Sequence, residues 1–358
     1  MLGHNQTSTV ELMLQEQTRQ ISSLYNLVSG TLNSEPGLQK NGDILFCDYL
    51  VEWLERHASK IQPNTYSEYK KVLDKHLYPY FKEKNISLIA LNCNDIEAYY
   101  AYKLKSGLSP NTVLKHHANL FTALKDAELH DRISSNPMNK VERPKQIPYI
   151  ARFYSVEQMM ILFSVSKSEK IYLPILFAGL LGLRRSEIVG LKWSSINFHS
   201  GTITIRDKAI RLNNNSEDRV LPKLKSKSSH RTLGLPKLLL DYLLSLRDTQ
   251  RENRKKADYN NKYRAFVCVD ANGNRIKLNY ITERFIKFIQ LKNLDVIRFH
   301  DLRHSCASML HYLGYSIEQI QMWLGHSDIQ TTRKYIHLFS RDNVIMADSI
   351  NNSICVDL

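Results

Sequence analysis

The sequence LGHSDIQTTRKYIH, residues 324–337, places Tyr335 nine residues after His326. Two segments that carry arginines lie upstream of it, GLRRSE (residues 182–187) and HDLRH (residues 300–304). A tyrosine phenol has a pKa of about 10, so only about one molecule in a thousand is ionised at neutral pH. Arginines and histidines gathered around one tyrosine would offset that cost and let the phenol attack a phosphodiester without a metal ion. The three segments therefore predict a site built around Tyr335.

The composition favours a globular protein with an anionic partner. Of the 358 residues 43% are hydrophobic, and 49 Lys and Arg outnumber 35 Asp and Glu, for a net charge of +14. A basic excess of this size favours an anionic polymer or surface as partner. No apolar run approaches the roughly 20 residues of a membrane span, and the N-terminus does not resemble a signal peptide. Five scattered cysteines without a C-x-x-C pair predict reduced thiols in a cytoplasmic protein.

The first half of the chain predicts a helical domain over residues 43–140, preceded by a helix or tail of unknown role over residues 1–42. Apolar residues recur at spacings of three and four, which is typical of helices with one buried face. The predicted helices are a first with Phe46, Tyr49, Leu50, Trp53 and Leu54 inward, a second over Thr65–Tyr80 with Tyr66, Tyr69, Val72, Leu73 and Leu77 inward, a third starting near Asn94, and a fourth starting at Ser109 and Pro110. Residues 141–152 then predict a basic linker broken by prolines.

Residues 153–358 predict a second domain, which is mainly helical with a small antiparallel β-sheet. Its predicted elements are a helix over 156–163 capped by Ser155, a buried helix over 171–181, a strand over 201–206 (GTITIR), two short strands around a basic turn within 220–235, and a helix after Pro236. The predicted fold class is therefore α+β, with a purely helical domain before the mixed one.

The two arginine segments place charged partners on one helical face. Arg184 and Glu187 lie three residues apart, so the acid could hold the arginine as a bidentate phosphate clamp. On its own, such a pair is more often an ordinary surface ion pair. His300 and Arg303 repeat the spacing, and His304 adds the four-residue spacing of a zinc helix. Because Arg303 would put a positive charge beside the cation, we expect no metal here.

A basic, serine-rich segment, KSKSSHR (residues 225–231), falls in the predicted turn. Lys225, Lys227 and Arg231 lie in it. Such segments are usually solvated, but a lysine on a mobile turn could also reach a DNA groove or protonate a leaving oxygen. The sequence therefore leaves both interpretations open for these three residues.

In combination these segments resemble the tyrosine recombinase (phage integrase) family. GLRRSE resembles the family's first arginine box, HDLRH its histidine-x-x-arginine box, and LGHSDIQTTRKYIH its histidine-to-tyrosine box. KSKSSHRTLGLP resembles the β-turn that bears the family lysine, which aligns with Lys225. The resemblance covers about residues 44–340. It implies a helical core-binding domain and a catalytic domain that together form a C-shaped clamp around DNA.

The resemblance also implies a role for each matching residue. Tyr335 would attack the scissile phosphate, giving a 3′-phosphotyrosine and a free 5′-hydroxyl. The implied roles of the others are Arg184 and Arg303 on the non-bridging oxygens, Lys225 as the acid for the leaving 5′ oxygen, His300 in removing the phenol proton, His326 as a hydrogen-bond donor to the phosphate, and Glu187 in orienting Arg184. Arg185, where the family varies, is a further candidate for phosphate contact. No ATP, metal ion or other cofactor is implied.

The implied partners are double-stranded DNA recombination sites and three further copies of the chain. A homotetramer would exchange strands through a Holliday junction, with the tail 338–358 docked on a neighbouring subunit, and an excisionase or a host DNA-bending protein could assist. DNA contacts are expected from Lys140, Arg143, Lys145, Lys227 and Arg231. The expected setting is the prokaryotic cytoplasm, at the nucleoid when bound, for integration or excision of a phage or conjugative element.

Other functions remain open at this point. A type IB-like topoisomerase or a Xer-type chromosome dimer resolvase would share the phosphotyrosine chemistry. A DNA-binding relative without catalysis would not, and neither would a metallohydrolase that uses His300 and His304. Residues 1–42 are neither strongly basic nor shaped like the arm-site-binding domain of many integrases, so we expect no arm-type DNA contact from them.

Overall fold

The computed structural model describes residues 44–148, 152–210, 219–221 and 230–330, together with Thr332. Contacts divide the chain into two compact units, one with the residues up to His57 and Tyr69–Gln146, the other with Ala58–Glu68 and the residues from Ile147 onward. Several sequence predictions lie outside the described residues: Tyr335, Lys225, Lys227, the segment 1–42 and the tail 338–358. Within the described ranges no helix is both long and apolar enough to cross a membrane.

The first unit is helical. Its elements are α1 (Phe46–His57), the last part of α2 (Pro63–Val72), a π-helical turn (Leu73–Leu77), α3 (Tyr78–Lys84), α4 (Cys93–Lys105), α5 (Pro110–Leu129) and a 3₁₀ turn (Pro137–Lys140). The residues of α2 up to Glu68 are counted with the second unit. All five apolar residues predicted to face inward from α1 are buried. The start predicted at Ser109 is also confirmed, because its side chain accepts a hydrogen bond from the Thr112 N–H at 3.2 Å.

The second predicted helix differs from the structure in length and regularity. It starts at Pro63 and continues to Lys84, whereas the prediction ended at Tyr80. Pro79 explains the loss of regularity, because it has no N–H to donate and clashes inside a regular helix. The π-helical turn immediately before α3 restarts the hydrogen-bond pattern, so that Pro79 occupies the first turn of α3, where proline is tolerated. Leu73 and Leu77 are buried as predicted, while Tyr66, Tyr69 and Val72 are only half-buried.

The second unit is mainly helical with two small antiparallel sheets, which confirms the predicted fold class. Its elements are α6 (Val156–Val165), α7 (Tyr172–Leu181), α8 (Arg185–Gly190), a 3₁₀ turn (Trp193–Ser195), β1 (Ile196–Asn197), β2 (Thr202–Ile205), β3 (Lys208–Ile210), β4 (Arg219–Leu221), β5 (Arg231–Gly234), α9 (Lys237–Asn253), a 3₁₀ turn (Asn261–Tyr263), α10 (Leu278–Leu291), α11 (Asp301–Tyr312) and α12 (Ile317–Leu324). Helix α7 is buried along almost its whole length, as its apolar sequence predicts.

The two strands predicted within residues 220–235 exist, but they pair with different partners. Strand β4 pairs with β3, and β5 pairs with β2 in a sheet of order β1–β2–β5. Ile203 lies opposite Leu233 and Ile205 opposite Arg231, and all four are buried. The alternation of β5 therefore carries Arg231 to the buried face of the sheet, away from the solvent that a basic turn would reach.

Two buried tyrosine–histidine pairs join α4 to α5. The hydroxyls of Tyr99 and Tyr100 are hydrogen-bonded to Nδ1 of His116 and His117, both at 2.8 Å. His116 is 1% exposed, and its ring packs against that of His76 in a tilted arrangement, with 4.8 Å between the ring centroids. Burial, with help from His76 and Lys103, lowers the pKa of His116 to about 4. The imidazole is therefore neutral at physiological pH.

We expect acid to destabilise the protein through His116. Because its pKa falls from 6.5 in the unfolded chain to about 4 in the fold, stability is complete above pH 6.5 and falls as the pH drops towards 4. The loss is about 1.5 kcal/mol between pH 6.5 and pH 5. Urea unfolding at both pH values should show a smaller loss in His116→Asn than in the wild type. His199→Asn, at an exposed histidine, is the control, and equal losses in all three proteins would contradict the prediction.

Candidate active site

Two helices of the second unit end at glycines, and the glycine after the first helix lies against the last residue of the other. Helix α7 ends at Leu181, and Gly182 follows with φ +61°; α12 ends at Leu324, and Gly325 follows with φ +69°. Both are in the left-handed region that glycine adopts without strain. A Cβ on Gly182 would lie 2.3 Å from Leu324 Cδ2, so the contact has no room for a side chain. Two predicted site residues follow these glycines: Arg184 lies two residues after Gly182, and His326 directly follows Gly325.

Arg303 joins these two helix ends. From the first turn of α11 its Nη1 donates to the Gly182 carbonyl at 2.5 Å, and its Nη2 donates to the Leu324 carbonyl at 2.7 Å. Carbonyls at a helix C-terminus lack partners inside the helix and carry partial negative charge, so a guanidinium suits both. The Arg303 side chain is 2% exposed. Burial and the nearby Arg184 lower its pKa to about 9, which leaves it charged at neutral pH.

Glu187 is the buried anion of the site. Its Oε1 accepts a hydrogen bond from Arg184 Nη1 at 2.8 Å, and its Oε2 accepts one from the Arg184 backbone N–H at 2.9 Å. Arg231 reaches the same carboxylate, with Nη2 3.1 Å from Oε2. Burial alone would raise the pKa of Glu187, but Arg231 and Arg184 outweigh it and lower the pKa. With Glu187 only 2% exposed, the Arg184–Glu187 contact is not the ordinary surface pair considered from the sequence.

Three histidines surround the arginines and are neutral at physiological pH. His300 is the N-cap residue of α11, and although its side chain reaches solvent, the surrounding protein and Arg303 lower its pKa to about 4. Burial and Arg303 lower the pKa of His326 to about 3, and burial and His300 lower that of His304 to about 4. His326 Nδ1 is hydrogen-bonded to Thr332 Oγ1 at 2.9 Å.

The metal-site interpretation of His300 and His304 receives no support from the side chains around them. In the part of the chain that the structure describes, no three His, Cys, Asp or Glu side chains are grouped so that they could hold a metal ion. Asp301, the acid beside the two histidines, forms an ion pair with Arg298 at 2.8 Å. His304 Nε2 lies 3.7 Å from the same carboxylate.

The predicted DNA-contact residues lie in different environments. Lys140, Arg143 and Lys145 are exposed in the first unit. Arg231, for which the sequence predicted a DNA contact, is buried, and its Nε donates to the Trp323 carbonyl at 2.9 Å. Arg185, the further phosphate candidate, donates to Thr282 Oγ1 on α10.

Sequence reasoning missed several residues that shape the site. Gly182 and Gly325 set the two helix ends, and a signal for both was present, because a glycine directly after an apolar helix is typical of a C-terminal cap. The contact of Thr332 with His326 was also missed, and so were the hydrogen bonds from Arg231 to Glu187. The contact of Arg231 with Glu187 joins residues 44 apart, and that of Thr332 with His326 joins residues six apart. Hydrophobic periodicity reports neither.

The arrangement is suited to bind an anion that gains negative charge. Three guanidinium groups, those of Arg184, Arg231 and Arg303, surround the single carboxylate of Glu187 and leave two net positive charges. Arg184 is the most accessible of the three, with its side chain 33% exposed against 6% for Arg231. Fixed cations in a site that excludes water stabilise developing negative charge strongly.

Comparison with known proteins identifies two matching family models. The model described as "Phage integrase family" matches residues 152–341. The model described as "Phage integrase, N-terminal SAM-like domain" matches residues 45–104. The first match contains the arginine cluster and the three histidines.

Individual proteins are similar over most of the chain. A protein named "Tyrosine recombinase XerC-like" from Caldanaerobacter subterraneus subsp. tengcongensis is 24% identical in sequence. The alignment covers 87% of this chain and 83% of that protein. The "ICEBs1 integrase" of Bacillus subtilis is also 24% identical, covering 89% of this chain and 86% of its own. A solved structure of a lambda integrase tetramer bound to a Holliday junction shares the fold, with a TM-score of 0.59, 16% identity, and coverage of 93% of this chain and 88% of that one.

We expect Gly182→Ala to destabilise the protein more than a matched change at Gly314. Both glycines have positive φ, but a Cβ on Gly314 would meet nothing within 4 Å of the described atoms, whereas one on Gly182 would clash with Leu324. Backbone strain alone should cost about 1 kcal/mol, and the clash should add about 2 kcal/mol. Urea unfolding of the two variants measures the difference. Equal losses would show that the contact between the two helix ends relaxes without cost.

Proposed function

Because the chain belongs to the phage integrase family and is therefore a tyrosine recombinase, we propose that Tyr335 cleaves DNA at specific sites. Strands would then be exchanged through a Holliday junction. The observation that carries this proposal is the group of Arg184, Glu187 and Arg303 at the starts of two helices, α8 and α11. Such a group can hold a phosphodiester and stabilise the extra charge of a pentacoordinate transition state.

The proposed step forms one bond and breaks another at phosphorus. The phenolic oxygen of Tyr335 bonds to the phosphorus, and the bond to the 5′ oxygen breaks, which leaves a 3′-phosphotyrosine. His300 takes the proton of the phenol, for which the neutral imidazole implied by its lowered pKa is suited. Lys225 gives a proton to the departing 5′ oxygen. The bond energy is kept in the phosphotyrosine, so the step consumes no ATP.

The remaining residues hold the phosphate. Arg184 would contact a non-bridging oxygen directly, which is supported by its side chain being held by Glu187 while a third of its surface stays open to solvent. Arg303 is enclosed by the carbonyls of Gly182 and Leu324. We propose that its charge, next to that of Arg184, also stabilises the phosphate. His326 would donate the remaining hydrogen bond.

Four copies of the chain would act together on two DNA sites. Exchange of both strands of two duplexes requires four cleavages, and each copy has one Tyr335, so a homotetramer supplies the four nucleophiles. The structural relative described above was solved as a tetramer on a Holliday junction, which supports this assembly. We propose that both units of each subunit bind the duplex, in the cytoplasm of a bacterial cell, and that an excisionase or host DNA-bending protein sets the direction of the reaction.

A mobile-element integrase and a Xer-type chromosome dimer resolvase are both consistent with the relatives. The integrase of a conjugative element and the XerC-like recombinase are equally similar to this chain, at 24% identity. The DNA that flanks the gene distinguishes them, because insertion repeats indicate an integrase and a chromosomal resolution site indicates a resolvase. Relaxation of a plasmid that lacks any specific site would instead indicate topoisomerase activity.

We expect covalent attachment to DNA to depend on Tyr335 and not on a metal ion. A duplex made from the sequence that flanks the gene, nicked next to the cleavage point, should trap the protein on DNA in the presence of EDTA. A label at the 5′ end of the cleaved strand should migrate with the protein, because the bond is to the 3′ phosphate. Tyr335→Phe should abolish the adduct, whereas Tyr315→Phe, at a half-exposed tyrosine elsewhere, should not. An adduct that survives Tyr335→Phe would refute the assignment.

We expect the exposed basic residues Lys140, Arg143 and Lys145 to contribute to DNA binding through phosphates. Each phosphate contact adds about 0.9 to the slope of log K against log salt. Changing all three to alanine should therefore reduce the slope by roughly 2 to 3. Arg251, Lys255 and Lys256, near the end of α9 and also exposed, provide a control triple alanine with the same change in charge. If both triple variants change the slope equally, the effect comes from net charge and not from contact by the linker.

A further inference from the structure

The C-terminus of α12 is held by three different arginines. Its last two carbonyls and the one after them accept one hydrogen bond each: Trp323 from Arg231 Nε at 2.9 Å, Leu324 from Arg303 Nη2 at 2.7 Å, and Gly325 from Arg184 Nη2 at 3.3 Å. The partial negative charge at a helix C-terminus favours cations there. This helix end leads directly into His326 and, nine residues later, Tyr335.

Arg231 differs from the other two arginines because it also forms a fork on Glu187. Its Nη1 and Nη2 lie 3.4 Å and 3.1 Å from the two carboxylate oxygens, while its Nε is directed to Trp323. One planar guanidinium thus connects β5, α8 and α12, which a lysine could not do because its ammonium is a single point of charge. Its side chain is 6% exposed, so its donors face protein groups and not a duplex.

Sharing Glu187 changes what Arg184 can offer to an anion. With Arg231 present, one carboxylate pairs with two guanidinium groups. The positive charge of Arg184 is then only partly neutralised, and the rest is available to a ligand. Without Arg231, the buried carboxylate would pair with Arg184 alone, and that pair would be neutral as a whole. The same loss would release the Trp323 carbonyl, and with it the helix end that precedes His326.

We propose that Arg231 is a positioning residue for DNA cleavage, which acts through Glu187 on Arg184 and through Trp323 on the end of α12, without touching the phosphate. This inference rests on the proposed function. It replaces the DNA contact that the sequence predicted for Arg231. Arg231 is also the first residue of β5, so its hydrogen bonds hold the start of the strand that follows Lys225 in the sequence.

The test is single-turnover cleavage of the nicked duplex by the full-length protein, measured over a range of DNA concentrations. Arg231→Met should lower the rate at saturating DNA by about 100-fold, since small displacements of catalytic groups have effects of that size. The DNA concentration at half-saturation should stay within about threefold, because binding depends on many other phosphate contacts. Arg231→Lys should fall in between. Arg206→Met, at an exposed arginine after β2, should match the wild type.

A double variant separates action through Glu187 from a general loss of packing. Arg231→Met combined with Glu187→Gln removes the carboxylate that would otherwise pair with Arg184 alone. Its rate should therefore exceed the value obtained by multiplying the effects of the two single variants. If the effects simply multiply, Arg231 does not act through Glu187 and the proposal is wrong. If Arg231→Met does not fold, the same comparison is made with Arg231→Lys, Glu187→Gln and the double variant of the two. A wild-type rate in Arg231→Lys then overturns the proposal.

Two other outcomes have distinct meanings. A raised half-saturation concentration with an unchanged maximal rate would make Arg231 a DNA-binding residue and overturn the positioning role, while the proposed function would stand. A wild-type protein that forms no Tyr335-dependent adduct would remove the proposed function, and this inference with it.

Discussion

The shared carboxylate of Glu187 is the interaction on which the arrangement of the site depends. A carboxylate buried as deeply as this one would be strongly unfavourable without cations and hydrogen bonds around it. Arg184 and Arg231 supply the cations, and the Arg184 backbone N–H supplies a further donor. Because that N–H precedes α8, the same carboxylate both starts the helix and aims the Arg184 side chain. The position of Arg184, the most exposed of the three arginines of the site, is therefore fixed by the local structure of the chain.

The carboxylate can hold this position only because the surrounding helices end beside it. Helix α7 is buried by its apolar sequence, which places Gly182 and the start of α8 at the edge of the core. Helix α12 ends against Gly182, and Arg303 bridges the two ends by hydrogen bonds to their carbonyls. Hydrophobic packing thus determines where the helix ends lie, and the unpaired carbonyls at those ends determine where the cations lie.

The sequence was a good guide where structure is local and a poor one where it depends on distant partners. The face of α1, the start of α5 and the buried α7 follow from periodicity and capping residues, and the Arg184–Glu187 contact spans only three residues. The π-helical turn before Pro79 required knowledge of how a strained helix relaxes. The burial of Arg231 follows from the pairing of β5 with β2 instead of β4, and the contact of Gly182 with Leu324 joins residues far apart in the chain. Local patterns contain neither.

In the proposed cleavage, the charge balance of the site would favour the transition state over the bound substrate. A phosphodiester carries one negative charge, and a pentacoordinate phosphorane carries about two, so two net positive charges match the second better than the first. Interactions that strengthen only as the reaction proceeds accelerate it, whereas equal binding of both states does not. The helix-end carbonyls reduce repulsion among the arginines before an anion arrives, and they stay in place afterwards. In the proposed reaction the cluster would therefore already be assembled when the phosphate enters, and little reorganisation would be needed at the moment of cleavage.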